Sequence, residues 1–220
     1  LKKEFEMKDL GKTKFCLGLQ FEYVDNGILV HQKTYTEKIL KQFNMDKAHS
    51  LSSPMVVRSL DLEKDPFGPR KPYEDMLGPE IPYLSAIGAL MYLASHTRPD
   101  ISFAVSLLSR FSSCPTLRHW NGIKHLFRYL QGTTDLGLFY TDRPRENMAG
   151  YADAGYLSDP HNARSQTGYV FIHSGAAVSW RSTKQTLVAT SSNHAEIIAM
   201  YEASRELVWL RNCLLYTSDA

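Results

Sequence analysis

Gly150-Tyr-Ala-Asp153-Ala-Gly155 reads as a β-strand with a carboxylate in its interior, and Ser191-Ser-Asn-His-Ala-Glu196-Ile-Ile-Ala opens an amphipathic helix about forty residues later. Between them Gly168-Tyr-Val-Phe-Ile-His-Ser-Gly175-Ala-Ala-Val-Ser-Trp180 has the pattern of a β-hairpin. Strand, hairpin and helix in this order would let one sheet and one helix present two acids to a divalent metal. Asp is disfavoured in strand interiors, so something must hold Asp153 there. Hydrogen bonds from Arg164, Ser165 or Thr167 are one way. Glu196 follows Asn193 by three residues, so it can also serve as half of a capping pair that favours the helix dipole. Both alternatives stay open on the residues alone. Mg²⁺ takes oxygen ligands in an octahedron, and a two-ion phosphodiester site draws several acids to one spot. Asp153 and Glu196 are the good candidates; Asp142 and Asp159 stand in turn-like contexts.

Working outward, the first fifty residues read as a compact unit. Residues 14–24 are extended, Asp25-Asn26-Gly27 is a turn suited to positive φ, and residues 28–32 return. Thr34-Tyr-Thr-Glu37 has the form of a capping box opening a helix with Tyr35, Ile39, Leu40 and Phe43 on one face. Pro54, Pro66, Pro69, Pro72, Pro79 and Pro82 then interrupt regular structure, so residues 56–82 are expected to be a Pro-rich linker. Three helices are expected near 85–94, 101–111 and 118–130. Gly88 offers a close helix crossing in the first. Pro99 and Asp100 restart the chain into the second. Trp120, Ile123, Phe127 and Leu130 form the stripe of the third. A short strand near 136–140 follows, and a final helix spans about 193–210.

The chain has 220 residues, 43% hydrophobic and 22% charged, enough for a full core. No apolar run approaches the ~20 residues of a membrane span. It begins Leu1-Lys2-Lys3-Glu4, without Met or an apolar leader, and is expected to be a piece of a longer chain. Cys16, Cys114 and Cys213 are odd in number and widely spaced, which argues for a reducing compartment over a disulfide framework. A net charge of +2 makes any nucleic-acid-binding surface local. Lys124 and Arg128, four apart on one helix, can grip phosphates or form an ordinary solvated flank. Arg164 opens a polar, phosphate-compatible loop. Gly18, inside a strand, marks a bulge or a close approach of backbone to a ligand. The eight histidines show no metal-ligand spacing, though His194 stands near Glu196. Trp120, Trp180 and Trp209 read as packing residues.

Taken in order, many stretches resemble the Pol polyprotein of copia-type LTR retrotransposons. They include Phe5-Glu-Met-Lys-Asp-Leu-Gly11, Ile87-Gly-Ala-Leu-Met-Tyr-Leu93, Thr97-Arg-Pro-Asp-Ile101, Arg128-Tyr-Leu-Gln-Gly-Thr133, Gly150-Tyr-Ala-Asp153, Ser165-Gln-Thr-Gly-Tyr-Val170, Ala195-Glu196 and Trp209-Leu-Arg211. The resemblance implies an α+β layout. Residues 1–55 would be a thumb-like β-hairpin plus helix at the C-terminal end of a reverse transcriptase. Residues 83–140 would be a helical connection. Residues 147–212 would be a truncated RNase H-like sheet of three antiparallel strands with one helix. It also implies that Asp153 and Glu196 match the first two metal-binding acids, with Mg²⁺ or Mn²⁺ as cofactor. The substrate would be the RNA strand of an RNA–DNA hybrid, and the rest of the polyprotein the partner. The parent element would work inside the cell, in a cytoplasmic particle or the nucleus. The polymerase aspartates would lie before Leu1 and the next RNase H acid beyond the last helix, so this piece is expected to be inactive alone. A non-catalytic nucleic-acid-binding or scaffold piece, using Gly18, Lys124, Arg128 and Arg164, is the alternative. His194 replaces a common Glu, and Gly155-Tyr156 a common Asp-Trp. Residues 213–220 depart from the family, look like a translated sequencing adapter, and are expected to be a non-native tail.

Overall fold

The computed structural model describes residues 11–142 and 147–218, with side chains to 216. Among the described residues it is an α+β fold with five helices and two antiparallel sheets. In chain order the elements are β1 (Phe15–Cys16), β2 (Leu19–Val24), β3 (Gly27–His31), α1 (Lys33–Gln42), α2 (Tyr83–His96), a short 3₁₀ turn (Pro99–Ile101), α3 (Ser102–Ser109), α4 (Leu117–Gln131), β4 (Gly137–Thr141), β5 (Ala149–Asp159), β6 (Arg164–His173), β7 (Ala176–Lys184) and α5 (Ser192–Ser218). Part of the Phe5–Gly11 stretch lies outside the described residues.

The first sheet runs β1-β2-β3-β4. Leu17 and Gly18 sit in the left-handed region, at φ 48° and 76°, and close β1 onto β2. Ser174 and Gly175 do the same between β6 and β7, at 50° and 82°. The Asp25-Asn26-Gly27 turn needs no positive φ, contrary to expectation. Gly27 is required for another reason: a Cβ there would strike the Tyr140 carbonyl of β4. That strand, read within the connection, therefore completes the sheet begun by the N-terminal hairpin.

Helix α1 opens at Lys33, and the expected capping box at Thr34 and Glu37 does not form. The Gln32 side chain does not cap the helix; instead the Thr34 N–H donates to Gln20 Oε1 of β2 at 2.8 Å, and the Thr36 hydroxyl donates to the Gln32 carbonyl at 3.0 Å. Ile39 and Leu40 pack into the main core with Leu90 and Leu93 of α2, Leu107 and Leu108 of α3, and Ile123, Leu126, Phe127 and Leu130 of α4. The helical spacing of these positions gives each helix one apolar stripe. Burying each such side chain contributes roughly 1.5–3 kcal/mol. Helix α2 is less enclosed than its composition suggested, since Leu84 and Met91 are exposed. Gly88 has open space around it, so no helix crosses there. The close approach is at Gly122, where a Cβ would come 2.6 Å from Phe67 and 2.9 Å from Leu108.

Phe67 belongs to the Pro-rich segment. That segment is packed rather than strung between units: Phe67 and Asp65 are buried, and the Leu77 N–H bonds the Pro115 carbonyl. The corner Thr97-Arg98-Pro99-Asp100 ties the helices together. The Thr97 hydroxyl donates to Gln32 Oε1 at 2.9 Å. The Arg98 guanidinium, 2% exposed, donates to Asp100 and to both the carbonyl and hydroxyl of Thr133 after α4. Burial alone would raise the Asp100 carboxyl, but bonds from Arg98 and the Tyr129 hydroxyl outweigh it and hold it below the ordinary range.

The second sheet, β5-β6-β7, lies between this helical core and α5. Trp180 donates from its indole to the Ala94 carbonyl on one side. On the other, Tyr169 and Phe171 meet Ala203 and Leu210 of α5. Helix α5 turns Ala195, Ala199 and Ala203 inward and leaves Ile197, Met200, Leu207, Val208 and Trp209 exposed. Trp209 is thus not a core residue. The helix also continues past residue 210 to Ser218, into the segment expected to be a tail.

His119 is buried between Phe111, stacked at 4.0 Å, and Gly68, whose carbonyl takes its Nε2 proton. Its Nδ1 accepts the Thr116 N–H. Burial pushes its pKa down to about 4. The folded state therefore binds fewer protons than the unfolded chain, whose histidine titrates near 6.5. The contribution is complete above that pH and is lost as pH falls toward 4. Urea unfolding at pH 7 and 4.5 should show wild type losing roughly 2 kcal/mol more than His119→Gln. Equal losses would show that the ring does not titrate as described.

Candidate carboxylate site and basic groove

The end of β7 fixes the start of α5. Gln185 is fully buried, and its amide donates to the Thr167 hydroxyl of β6 at 3.2 Å and to the Ala195 carbonyl of α5 at 2.9 Å. Ser191 caps α5 by accepting the His194 N–H at 3.1 Å. Glu196, one residue past the Gln185 contact, is half-buried and is not the capping residue. His194 faces Thr190 through Nδ1, not Glu196.

Asp153 is exposed on β5, opposite Gly168. None of the three residues expected to hold it does so. The Arg164 guanidinium donates to the carbonyls of Gln185 and Thr186. The Ser165 hydroxyl accepts the Leu157 N–H, and Thr167 serves Gln185. Strand pairing is regular from Ala149 to Gly155. Ala152 packs with Tyr169 on the α5 side, so alternation directs Asp153 to the other face. Two carboxylates without structural partners thus sit at one end of the module but not on one face of the sheet. Among the described residues, no group of three His, Cys, Asp or Glu side chains comes together. An octahedral two-ion site needs several converging oxygens, so this donor set does not fit one.

The basic candidates separate. Lys124 and Arg128 of α4 line one groove of about 500 Å³ with an apolar floor that includes Met45, Val56 and Phe67. Arg128 spends its Nε on the His49 carbonyl at 2.7 Å. Arg118 at the same groove is held by Glu74, at 2.6 and 3.0 Å. Gly18 lies elsewhere, against Tyr92, whose hydroxyl donates to the Leu17 carbonyl at 2.6 Å. Its close neighbour is therefore this side chain, and Arg164 is a structural clamp between strand ends. Sequence reasoning missed Gln185 and the Arg98 corner. For the corner, Thr97-Arg-Pro-Asp stood among the family-like stretches, the one available signal. No helix of the described residues is long and apolar enough to cross a membrane.

The family model described as reverse transcriptase (RNA-dependent DNA polymerase) matches residues 1–57. The chain is 40% identical over 217 residues to the retrovirus-related Pol polyprotein from transposon TNT 1-94 of Nicotiana tabacum, covering 97% of this chain and 16% of that protein. It is 33% identical over 222 residues to the Pol polyprotein from transposon RE2 of Arabidopsis thaliana, covering 99% of this chain and 14% of the relative. It is also 48% identical over 130 residues to secreted RxLR effector protein 161 of Plasmopara viticola, covering 59% of this chain and 92% of that one. The chain thus spans about a sixth of the length of the TNT 1-94 polyprotein. No solved structure matches it.

Replacing Gln185 by Ala should release the start of α5. Two buried bonds are lost, at a cost of roughly 1–3 kcal/mol. Hydrogen exchange should rise first in residues 192–203. Uniform exchange across the chain, or unchanged stability, would show that α5 is held by its alanine stripe alone.

Proposed function

Because this chain belongs to the Pol polyproteins of copia-type retrotransposons, we propose that it serves reverse transcription as part of a longer protein, uniting the end of the polymerase, a helical connection and the opening of an RNase H-like module. The likeness across 97% of the chain to a Pol polyprotein carries this reading. The strand, hairpin and helix order of β5, β6, β7 and α5 supports the RNase H-like assignment. The β2–β3 hairpin with α1 supports the thumb-like one.

In the intact polyprotein, Asp153 and Glu196 are assigned to the acids that act on the RNA strand of an RNA–DNA hybrid. Support comes from their lack of structural partners, which leaves an otherwise disfavoured strand Asp without a packing role. Mg²⁺ would supply charge neutralisation at the scissile phosphate when bound. The described residues do not assemble its ligands. Strand β5 is an edge strand whose register is set by β6 alone. A one-residue slip would turn Asp153 toward α5. Lys124 and Arg128 would hold the hybrid's backbone, a sequence-independent and salt-sensitive role.

Cleavage of a labelled RNA–DNA hybrid in Mg²⁺ tests both parts. The purified chain should bind the hybrid and not cut it. A longer polyprotein segment extending beyond α5 should cut it, and Asp153→Asn or Glu196→Gln should reduce that cutting by about two orders of magnitude or more. Cleavage by the isolated chain, or a longer segment indifferent to both substitutions, refutes the assignment. Hybrid binding should weaken steeply between about 50 and about 200 mM salt and less steeply in Lys124→Gln. Salt-independent binding would remove α4 from the nucleic-acid path.

A further inference from the structure

We propose that the cavity enclosed by the Pro-rich segment, the end of α3 and the turn between β5 and β6 is a binding site for a phosphoryl group. Its volume is about 240 Å³, and Arg58, Arg70, Arg110, His161 and Lys184 line it with Asp159. The site does not depend on the hybrid-cleaving role above: it includes neither Asp153 nor Glu196, and it meets the Lys124 groove at Phe67 alone.

The charge balance is uneven. Arg58 is spent: it grips the fully buried Asp65 through Nε and a terminal nitrogen, at 2.8 and 2.5 Å, and gives its other terminal nitrogen to the Ser158 carbonyl at 2.6 Å. Burial would raise the Asp65 carboxyl, but Arg58 and the Phe67 N–H outweigh it and hold it below the ordinary range. Asp159 must serve Arg110 at 3.4 Å and Lys184 at 3.3 Å, both beyond ordinary hydrogen-bond length. Its oxygens are meanwhile taken by the Asn162 amide at 3.1 and 3.2 Å. Four side-chain cations therefore face two carboxylates, an excess of two positive charges before His161 counts.

The donors are also incompletely used. The Arg110 side chain is 13% exposed, and its Nε is buried without a partner. His161 Nε2 lies 3.3 Å from Asp65 but makes no hydrogen bond to it. A buried donor left unmade costs free energy, and a guanidinium is shaped to spend its donors on planar or tetrahedral oxyanions. A phosphoryl dianion matches both the charge excess and the supply of donors. A cation would be repelled. The shape gives access, because Arg70 stands exposed at the rim while Arg110 and Asp159 form the floor. The three walls are far apart in sequence, at residues 58–70, 110–114 and 159–184, so an anion here would also clamp the helical core to the second sheet.

Thermal unfolding and calorimetric titration with inorganic phosphate, against chloride at equal ionic strength, test the site. Phosphate should give a saturable calorimetric isotherm and raise Tm with the logarithm of its concentration, as a ligand selective for the folded state must. Arg70→Gln, a rim change that leaves the buried pairs intact, should weaken phosphate affinity about tenfold, and Lys184→Gln at least as much. Lys38→Gln on the exposed face of α1 should leave it unchanged. Identical melting in phosphate and chloride, or wild-type affinity in Arg70→Gln, overturns the proposal. A 5′-phosphorylated oligonucleotide and its unphosphorylated twin distinguish the source. A difference between them assigns the site to a nucleic-acid end, and equal binding with retained phosphate affinity assigns it to a free phosphate.

Discussion

A guanidinium buried at a chain corner organises this molecule. Arg98 reaches Asp100 beside it and Thr133 after α4, while Thr97 reaches Gln32 at the head of α1. Removing a charge from water is expensive unless every donor finds an acceptor. The corner can therefore form only when α1, the α2–α3 junction and the end of α4 are all in place. Tyr129 adds its ring beneath the guanidinium and its hydroxyl to Asp100. The apolar stripes supply the gross stabilisation of the helical core, and the corner selects one arrangement of it.

The same logic operates where the core meets the second sheet. Asp65 and Arg58 come from the Pro-rich segment, Arg110 from the end of α3, and Asp159, His161 and Lys184 from the sheet. Segments that carry buried ions cannot be loose, because separating the partners would strand a charge away from water. This explains why a stretch with prolines every few residues runs along the core instead of linking two bodies. Its lack of regular structure follows from the missing amide hydrogens of proline. Its order follows from Phe67 against Gly122 and from the carbonyls that Arg118 gathers at Pro66 and Pro69.

The second sheet is thin by comparison. Helix α5 touches it chiefly through alanines spaced four apart, with Leu210 and a Glu206 bond to Ser179 further along, and leaves large apolar residues outside. Gln185 offsets this weakness by tying β6, β7 and α5 through one buried amide. Strand β5 pairs on one side only, and Asp153 stands exposed there without a packing or pairing role. The parts with least internal support are thus those bearing Asp153 and Glu196, the acids proposed to act on the hybrid.

Much of the fold was legible in the residues. Apolar stripes marked α1 and α4, Pro99 and Asp100 marked the restart into α3, the 168–180 pattern marked the β6–β7 hairpin, and ordered family-like stretches marked the polyprotein. Local periodicity records which face of an element is apolar, and that information survives in a linear string. What it does not record is which distant segment supplies the partner. That β4 closes the N-terminal sheet, that residues 56–82 pack, that Gly122 rather than Gly88 admits a neighbour, and that Gly18 meets Tyr92 are long-range outcomes of packing. The acids divide in the same way. Asp153 and Glu196 stood out by type and position, but the face each carboxylate takes is set by strand register, and a period of two makes that choice absolute. Register is a property of paired strands, so only the tertiary structure decided it.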